Sequence, residues 1–134
     1  MKKRYETFAH AKTHIRYHII FSTKYRKECL SGLESEVKEI FMGISDKSKF
    51  SILSIGIDKN HLHLFVKSCP TMSIYRIVQR LKSMSTYLLW QSHGEHLRRF
   101  YWGKKKHLWT VGYFCSTVGE MSEETVEHYI AKQG

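Results

Sequence analysis

The fold of this 134-residue chain is decided by residues 50–67, which read FSILSIGIDKNHLHLFVK. Apolar residues, many of them β-branched, run through 50–57 and again through 61–67, and both runs have the length of a strand. A short polar break, Asp58-Lys59-Asn60, separates them and is typical of a turn. Residues 50–67 therefore predict a β-hairpin. Alternate residues form the apolar side of its first strand, namely Leu53, Ile55 and Ile57.

The segments around the hairpin predict the other elements of a mixed α and β domain. Residues 14–22 are rich in β-branched and aromatic side chains, which favour a first strand. Apolar residues at helical spacing predict a helix that starts with Ser31 as its N-cap and ends near Lys47. A longer helix is expected to open at Pro70-Thr71 and to run to about Gln91.

The last third of the chain completes the predicted fold. Residues 108–116 predict a fourth strand, and residues 122–132 predict a final helix with Ser122 as its N-cap. The order is βαββαβ followed by one helix, which is the split βαβ, ferredoxin-like or RRM-like plan of α+β domains. Its antiparallel sheet carries two helices on one face. We expect a single domain over residues 1–134, because this length suffices for one core and not for two.

Charge points to a polyanionic partner. Lysine and arginine total 22 against 12 acidic residues, a formal net charge of +10. The excess is concentrated in residues 1–27 and 76–107, each of which holds eight basic side chains against one acidic side chain. Neutralised phosphates and released counterions are the physical basis of affinity for nucleic acid. A soluble basic protein without such a partner is the alternative, and charge alone does not exclude it. A membrane surface is a poorer match, since neither block forms a clean amphipathic basic helix.

Composition indicates a folded protein of the cytoplasm. The apolar share of 42% and the aromatic share of 13% are globular values, not those of a disordered chain. No apolar run is long enough to cross a bilayer, and no apolar signal core follows the basic start of the sequence. Cys29, Cys69 and Cys115 form neither a disulfide framework nor a zinc pair, so we expect reduced and mostly buried thiols.

Two histidines on the second strand of the hairpin are candidate metal ligands. Side chains alternate across a strand, so His61 and His63 point to one face while Leu62, Leu64 and Val66 point into the core. Neighbouring imidazoles form a natural half of a site for a divalent metal. The alternative is a pair of ordinary polar side chains exposed on a half-buried strand.

Tyr129 and Gln133 lie four residues apart in the predicted last helix and therefore share one helical face. Tyrosine can act as a covalent nucleophile, and a glutamine oxygen can complete the coordination of a hard cation. Packing of Tyr129 and a frayed last turn at Gln133 are the alternative interpretation. Tyr113 is a competing nucleophile, although its position inside the predicted fourth strand favours packing.

The run His61-Leu62-His63, followed downstream by Tyr129 and Gln133, resembles the HUH single-tyrosine transposases (TnpA type) of small bacterial and archaeal insertion sequences. The likeness extends from about residue 12 through the rest of the sequence. Further segments that look like motifs of this family occur in the same order, namely residues 17–26, 81–85, 101–102, 109–114 and 116–119.

The resemblance implies a chemistry and assigns residues to it. Such enzymes bind Mg²⁺ or Mn²⁺ through two histidines and a helical glutamine, here His61, His63 and Gln133. They cut single-stranded DNA with a tyrosine, here Tyr129, and leave a 5′-phosphotyrosine and a free 3′-OH that can later reverse the step on another strand. The resemblance also implies a homodimer that recognises DNA hairpins at the ends of an insertion sequence.

Basic side chains in the two charged blocks are the candidate DNA contacts under this interpretation. They are Lys24, Arg26, Lys27, Arg80, Lys82, Arg98, Arg99, Lys104, Lys105 and Lys106. Tyr101 and Trp102 lie among them and are candidates for stacking on bases, with burial in the core as the alternative.

Two other functions remain compatible with the same fold plan. An RRM stacks bases on aromatic residues of its sheet, but the third predicted strand has no RNP-like run and carries histidines at those positions. A domesticated or catalytically silent relative would bind single-stranded hairpins without transposing. The sequence keeps all four residues of the implied chemistry, His61, His63, Tyr129 and Gln133, which argues against a catalytically silent relative. Their presence does not distinguish a mobile transposase from a domesticated one.

Overall fold

The computed structural model describes residues 5–8, 10–119 and 130. No helix in this part of the chain is long and apolar enough to cross a membrane. Its elements follow in the order β1 Glu6–Phe8, β2 Ala11–Thr13, β3 Ile15–Ser22, a 3₁₀ helix Lys24–Arg26, α1 Glu34–Asp46, β4 Ser51–Ile57, β5 His61–Ser68, α2 Ile74–Leu97 and β6 Phe114–Thr117.

Strands β3 to β6 form one antiparallel sheet in the order β4-β5-β3-β6. β3 pairs with β5 over its whole length, from Ile15 opposite Ser68 to Ser22 opposite His61. The predicted βαββαβ order is confirmed by β3, α1, β4, β5, α2 and β6. β1 and β2 add a separate hairpin, which hydrophobic periodicity did not predict because each strand has three residues.

Both helices cover one face of the sheet. The buried core contains Ile19 and Phe21 of β3 together with alternate residues of β5, namely Leu62, Leu64 and Val66. Apolar side chains of the helices close this core, namely Val37, Phe41 and Ile44 of α1 and Ile77, Val78, Leu81 and Leu89 of α2. Burial at about 1.5–3 kcal/mol for each large side chain stabilises the sheet that positions the histidines.

Helix α1 begins later than predicted. Ser31 lies in a turn, and Leu33 is the N-cap of a helix that starts at Glu34. The turn contains Gly32 at a φ of +84°, a left-handed conformation that favours glycine, so the α-helix starts only after it. Glu34 and Glu36 occupy the first turn of α1, where acidic side chains stabilise its positive end.

Helix α2 begins later and ends later than predicted. Ser73 is its N-cap, since the Ser73 hydroxyl accepts a hydrogen bond of 3.2 Å from the amide of Arg76. Pro70 therefore precedes the helix instead of opening it. At the far end, α2 continues past Gln91 to Leu97, across a kink where the backbone leaves helical geometry.

Strand β4 differs from the prediction at Leu53. The pairing of β4 with β5 shifts between Ile52 and Ser54, so Leu53 is the extra residue of a β-bulge. Ile52 is buried and Leu53 is exposed, whereas Ile55 and Ile57 face the core as predicted.

The predicted strand over residues 108–116 is only partly confirmed, because Trp109 forms an isolated antiparallel bridge with Thr23 and no strand follows until β6. The strand β6 occupies only Phe114–Thr117. The Nζ atom of Lys82 donates hydrogen bonds of 2.5, 2.8 and 3.3 Å to the carbonyls of residues 110–112, so these acceptors serve a side chain and not a neighbouring strand. Tyr113 lies just before β6 with an exposed ring, and the expected packing inside a strand is not found.

The other face of the sheet carries a group of histidines. We call it the histidine face and define it by His18 of β3 and by His61, His63 and Phe65 of β5. Phe65 is fully buried there in a cluster with Val118 and Ile130. The predicted helix over 122–132, including its cap Ser122, lies outside the described residues except for Ile130, which is helical.

The three cysteines are free thiols, as expected. Cys29 is buried, but Cys69 and Cys115 are only half-buried, so the expectation of mostly buried thiols holds for Cys29 alone. Burial raises the pKa of Cys29 and of Cys115.

Candidate functional site

His61 and His63 stand side by side at the start of β5. Alternation along the strand turns both rings to the histidine face, and their centroids lie 5.2 Å apart. The side chain of His61 is 29% exposed, whereas His63 is 7% exposed. The pair therefore offers one open ring and one ring set into the sheet surface.

Each of these rings is oriented through its Nδ1 atom. His61 Nδ1 lies 3.0 Å from Asn60 Oδ1, and His63 Nδ1 lies 3.1 Å from Nε2 of His18 on the neighbouring strand. The rings of His18 and His63 are nearly parallel and meet edge to edge, with centroids 5.4 Å apart and 20° between their planes. Metal-binding histidines usually have their second nitrogen held by such a partner, which fixes the tautomer and the ring orientation.

The surroundings keep His63 neutral. Burial, then the neighbouring His18 and His61, lower the pKa of His63 to about 4, against a smaller opposing effect of Asp58. Burial also lowers the pKa of His18. Because a metal ion binds the neutral imidazole, His63 can act as a ligand at neutral pH without first losing a proton.

This donor set fits a divalent cation that takes further ligands from elsewhere. Imidazole nitrogens are common ligands of divalent metals, whereas Mg²⁺ and Mn²⁺ prefer oxygen, so either of these two ions would complete its coordination with oxygen ligands and retained waters. Within residues 5–8, 10–119 and 130, no group of three His, Cys, Asp or Glu side chains could hold a metal. In this part of the chain, the two histidines are therefore not joined by a third ligand of these types.

The predicted nucleophile Tyr129 and the predicted ligand Gln133 lie outside the described residues. Ile130, the next residue after Tyr129, is described and is fully buried. It packs in the cluster with Phe65, which is two residues beyond His63 and on the same side of β5. At Ile130 the chain has therefore returned to the histidine face.

Most of the predicted DNA contacts come from two segments that meet. Residues 24–27 follow β3, and residues 98–106 follow α2. The Lys24 amide donates to the Leu108 carbonyl at 2.8 Å, and the Tyr101 hydroxyl donates to the Lys24 carbonyl at 2.8 Å. We call these two segments together the basic end, and their cations are Lys24, Arg26, Lys27, Arg98, Arg99, Lys104, Lys105 and Lys106.

The other two predicted DNA contacts have internal partners. Arg80 Nε donates to Ser48 Oγ at 2.6 Å, next to the end of α1 and away from the basic end. The Lys82 ammonium directs its three donors to the carbonyls of residues 110–112, and burial lowers its pKa. Lys82 thus ties the segment before β6 to α2.

Tyr101 and Trp102 have different environments. Tyr101 is 3% exposed, its hydroxyl is hydrogen-bonded, and burial raises its pKa. Trp102 is 76% exposed. Tyr101 is therefore a core residue, which was the alternative to base stacking. Trp102 is the ring of the two that a base could reach.

The structure adds His18 and Asn60 to the predicted site. The signal for His18 was present in the sequence, because Ile19 and Phe21 take the core positions of β3 and alternation then turns His18 to the opposite face. Its position beside His63 depends on the register between β3 and β5, which no local pattern shows.

Comparison with known proteins assigns the chain to a family. The family model described as IS200-like transposase matches residues 11–133. The chain belongs to the IS200-like transposase family. The transposase for insertion sequence element IS200 of Salmonella typhimurium is 26% identical over 129 residues, which cover 96% of this chain and 82% of that relative. The ISDra2 transposase TnpA of Deinococcus radiodurans is 27% identical over 120 residues, covering 89% and 84%.

Solved structures share the fold. A crystal structure of a candidate transposase from Deinococcus radiodurans has a TM-score of 0.72 at 26% identity, covering 99% of this chain and 98% of that one. A REP-associated tyrosine transposase bound to a REP hairpin has a TM-score of 0.61 at 10% identity, covering 89% and 64%, and shows the fold alone. The predicted transposase family and α+β fold are confirmed, and the RRM alternative is set aside.

Proposed function

We propose that this IS200-like transposase cuts and rejoins single-stranded DNA through a covalent bond to Tyr129, with a divalent metal held by His61, His63 and Gln133. The observation that carries the proposal is the orientation of the two histidines. Both rings lie on one face of the sheet, and each is held through Nδ1, by Asn60 or by His18.

The proposed reaction exchanges one phosphodiester bond for another. The phenolic oxygen of Tyr129 attacks the phosphorus and loses its proton as the new P–O bond forms. The bond from phosphorus to the 3′ oxygen breaks, and that oxygen takes up a proton and leaves as a free 3′-OH. The 5′-phosphotyrosine conserves the bond, so a 3′-OH of another strand can reverse the step without ATP.

The cofactor of the proposal is Mg²⁺ or Mn²⁺. When bound, it stabilises the negative charge that develops on the phosphoryl oxygens. The chain supplies the ligand orientation: Asn60 and His18 hold the ring planes, and burial keeps His63 neutral. No rearrangement of these rings is then needed when the cation arrives.

The buried position of Ile130 supports the role of Tyr129. Ile130 packs with Phe65 and Val118 on the histidine face, and Tyr129 is its covalent neighbour. Consecutive Cα atoms are about 3.8 Å apart, so Tyr129 begins within one residue of that cluster.

The basic end is the proposed DNA surface. Its lysines and arginines would neutralise backbone phosphates of a strand that leads to the histidines. A solved transposase of this fold is bound to a REP hairpin, which supports hairpins at the ends of an insertion sequence as the substrate here.

The proposal also includes a homodimer. Light scattering of the protein with DNA tests the oligomeric state, and a measured mass of one chain would contradict the homodimer.

A denaturing gel tests the chemistry. The probe is a set of single-stranded oligonucleotides that cover both strands of the DNA flanking the protein's own coding sequence, labelled at the 3′ end. That end stays with the 5′-phosphotyrosine, so cleavage gives a labelled covalent adduct. We expect the adduct with Mn²⁺ or Mg²⁺ and its loss with EDTA, with Tyr129→Phe and with His61→Ala.

Controls separate the nucleophile from a general effect of substitution. Tyr87→Phe changes an exposed tyrosine of α2 and should leave the adduct unchanged. An adduct that persists in Tyr129→Phe would show that another residue is the nucleophile, with Tyr113 the next to test. Tight binding without any adduct would favour the catalytically silent relative.

A further inference from the structure

The basic end contains an aromatic pocket that the proposed chemistry does not use. Its volume is about 360 Å³, and six residues line it: Tyr25, Lys27, Phe100, Tyr101, Trp102 and His107. This volume lies at the lower end of the range for small-ligand sites, which begins at roughly 300 Å³. The pocket is thus of a size for one flat ring system and not for an extended ligand.

Two walls of the pocket expose large aromatic rings. Tyr25 is 67% exposed and Trp102 is 76% exposed, whereas the other two tryptophans, Trp90 and Trp109, are buried. Aromatic faces presented to solvent are the surfaces on which nucleobases stack, and every base has such a face. Trp102 is therefore the indole of this chain that is available for stacking.

Positive charge borders these rings. The Nζ atom of Lys27 lies 6.0 Å from the centroid of the Trp102 ring, and that of Lys24 lies 5.3 Å from the centroid of the Tyr25 ring. Arg26 follows Tyr25, and Lys104 to Lys106 follow Trp102, all of them exposed. Aromatic faces next to positive charges can stack on a base and bind the phosphates on either side of it. This combination favours a nucleic-acid strand over a neutral ligand.

The pocket is held rigid. Tyr25 and Arg26 have positive φ values of 61° and 55°, a conformation that non-glycine residues keep only where the surroundings enforce it. Two hydrogen bonds hold this loop, from Thr23 Oγ1 to the Lys27 carbonyl at 2.7 Å and from the Tyr101 hydroxyl to the Lys24 carbonyl. A third, from Trp90 Nε1, holds the His107 carbonyl in another wall of the pocket. A preformed pocket loses little entropy on binding.

A short chain of contacts joins the pocket to the histidine pair. The Thr23 amide donates to the Asn60 carbonyl at 2.9 Å, and the side-chain oxygen of Asn60 holds His61. The pocket and His61 thus lie on either side of the same hydrogen-bonded junction between β3 and β5.

We propose that this pocket binds one unpaired nucleobase of single-stranded DNA, stacked on Trp102 and Tyr25, with neighbouring phosphates on Lys24 and Lys27. This proposal rests on the proposed function and extends it, because the pocket would bind a base of the same DNA strand that is cut at the histidines. The pocket then fixes how far along the strand the reacting phosphate lies.

Tryptophan fluorescence in EDTA tests the pocket without any cleavage. The probe is a short oligothymidine, and stacking of a thymine on Trp102 should quench the indole emission. Trp102→Ala removes the reporting indole, so its affinity is measured by fluorescence anisotropy of a labelled oligothymidine. Binding should weaken between about five- and 150-fold, the range that corresponds to the loss of one stacked base. Tyr87→Ala is the matched control, because it removes an exposed aromatic ring of α2 outside the pocket and should leave binding unchanged.

Oligothymidines with one abasic position complete the design. We expect one position at which the missing base weakens binding to the wild-type protein and has no further effect on Trp102→Ala. Unchanged affinity of Trp102→Ala, in a variant that unfolds at the wild-type temperature, would overturn the proposal, as would an abasic scan without such a position. Quenching without any Tyr129 adduct would support the base-binding pocket and contradict the proposed cleavage chemistry. An adduct without quenching would support the cleavage chemistry and contradict the pocket.

Discussion

His18 Nε2 lies 3.1 Å from His63 Nδ1, across the pairing of β3 with β5. This contact makes His18 a positioning residue for His63, because a nitrogen at Nδ1 decides both the tautomer and the plane of the ring. The two rings are nearly coplanar, with 20° between their planes, so the edge of His63 and not its face is turned toward His18.

Replacing His18 with phenylalanine should weaken metal binding. His18→Phe keeps an aromatic ring against His63 but removes the nitrogen that holds it. The affinity for Mn²⁺ should fall roughly 10- to 100-fold, the usual effect of losing the partner of a metal ligand. Electron paramagnetic resonance of the Mn²⁺ left free in solution measures this affinity. The Mn²⁺ concentration that gives half the maximal adduct yield should rise by a similar factor. His10→Phe, at an exposed position, is the control, and equal affinity in both variants would contradict the role of His18.

Truncating Ile130 should reduce cleavage without unfolding the protein. Ile130 is fully buried with Phe65 and Val118, in a cluster separate from the main core. Ile130→Ala removes about 2 kcal/mol or more of packing, and the loss falls on this cluster. Adduct formation should therefore drop roughly tenfold or more, while the midpoint of thermal unfolding stays close to that of the wild type. Ile130→Val should recover most of the rate. A cooperative loss of stability in Ile130→Ala with normal cleavage would contradict the idea that this contact serves Tyr129.

The parts of the fold and of the site that are predicted correctly from the sequence are those set by regular local patterns. The shared face of His61 and His63 follows from strand alternation alone, and so does the burial of Leu62 and Leu64. The missing strand before β6 has a different origin, because there a distant side chain satisfies the backbone. Lys82 holds carbonyls 28 to 30 residues away, so alternation before β6 does not produce a strand.

The same reason applies to the parts of the site that were not predicted. The contact between His18 and His63 spans 45 residues and exists only in one register of β3 against β5. The aromatic pocket likewise joins the loop after β3 with the segment after α2. Tyr101 and Trp102 are adjacent in sequence and have opposite environments, which no periodicity could distinguish in a segment without regular structure.

Removing the Ser85 hydroxyl should destabilise the protein. Trp109 Nε1 donates to Ser85 Oγ at 2.9 Å, and both residues are buried. Ser85→Ala leaves the indole N–H without its acceptor, which costs about 1–3 kcal/mol. Urea unfolding measures the change in the free energy of unfolding. Ser83→Ala, two residues away at an exposed position of α2, is the matched control and should have almost no effect. Equal stabilities of the two variants would count against the buried hydrogen bond.

The pair Glu6 and Arg16 should make stability depend on pH. Arg16 Nη1 donates to Glu6 Oε1 at 2.8 Å, and this hydrogen bond lowers the pKa of Glu6 below its ordinary value of 4.5. Because the folded pKa is the lower one, the stabilisation is present above 4.5 and is lost as pH falls through the folded value. Glu6→Gln should cost about 1 kcal/mol at neutral pH, since the pair is partly exposed. Urea midpoints of the two proteins should converge in strong acid; a constant gap at all pH values would contradict the role of this carboxylate.

Lys82 and Lys105 should respond in opposite ways to replacement by methionine. The Lys82 ammonium donates to three carbonyls of residues 110–112, so Lys82→Met should lower the free energy of unfolding by about 1 kcal/mol. It should leave the salt dependence of DNA binding unchanged, because those donors already serve the protein. Lys105 is exposed in the basic end, so Lys105→Met should reduce the slope of log affinity against log salt by roughly 0.7 while stability is preserved. Fluorescence anisotropy with a labelled oligothymidine over a salt series, together with urea unfolding, measures both quantities. A reduced salt slope in Lys82→Met would show that its charge also reaches the DNA.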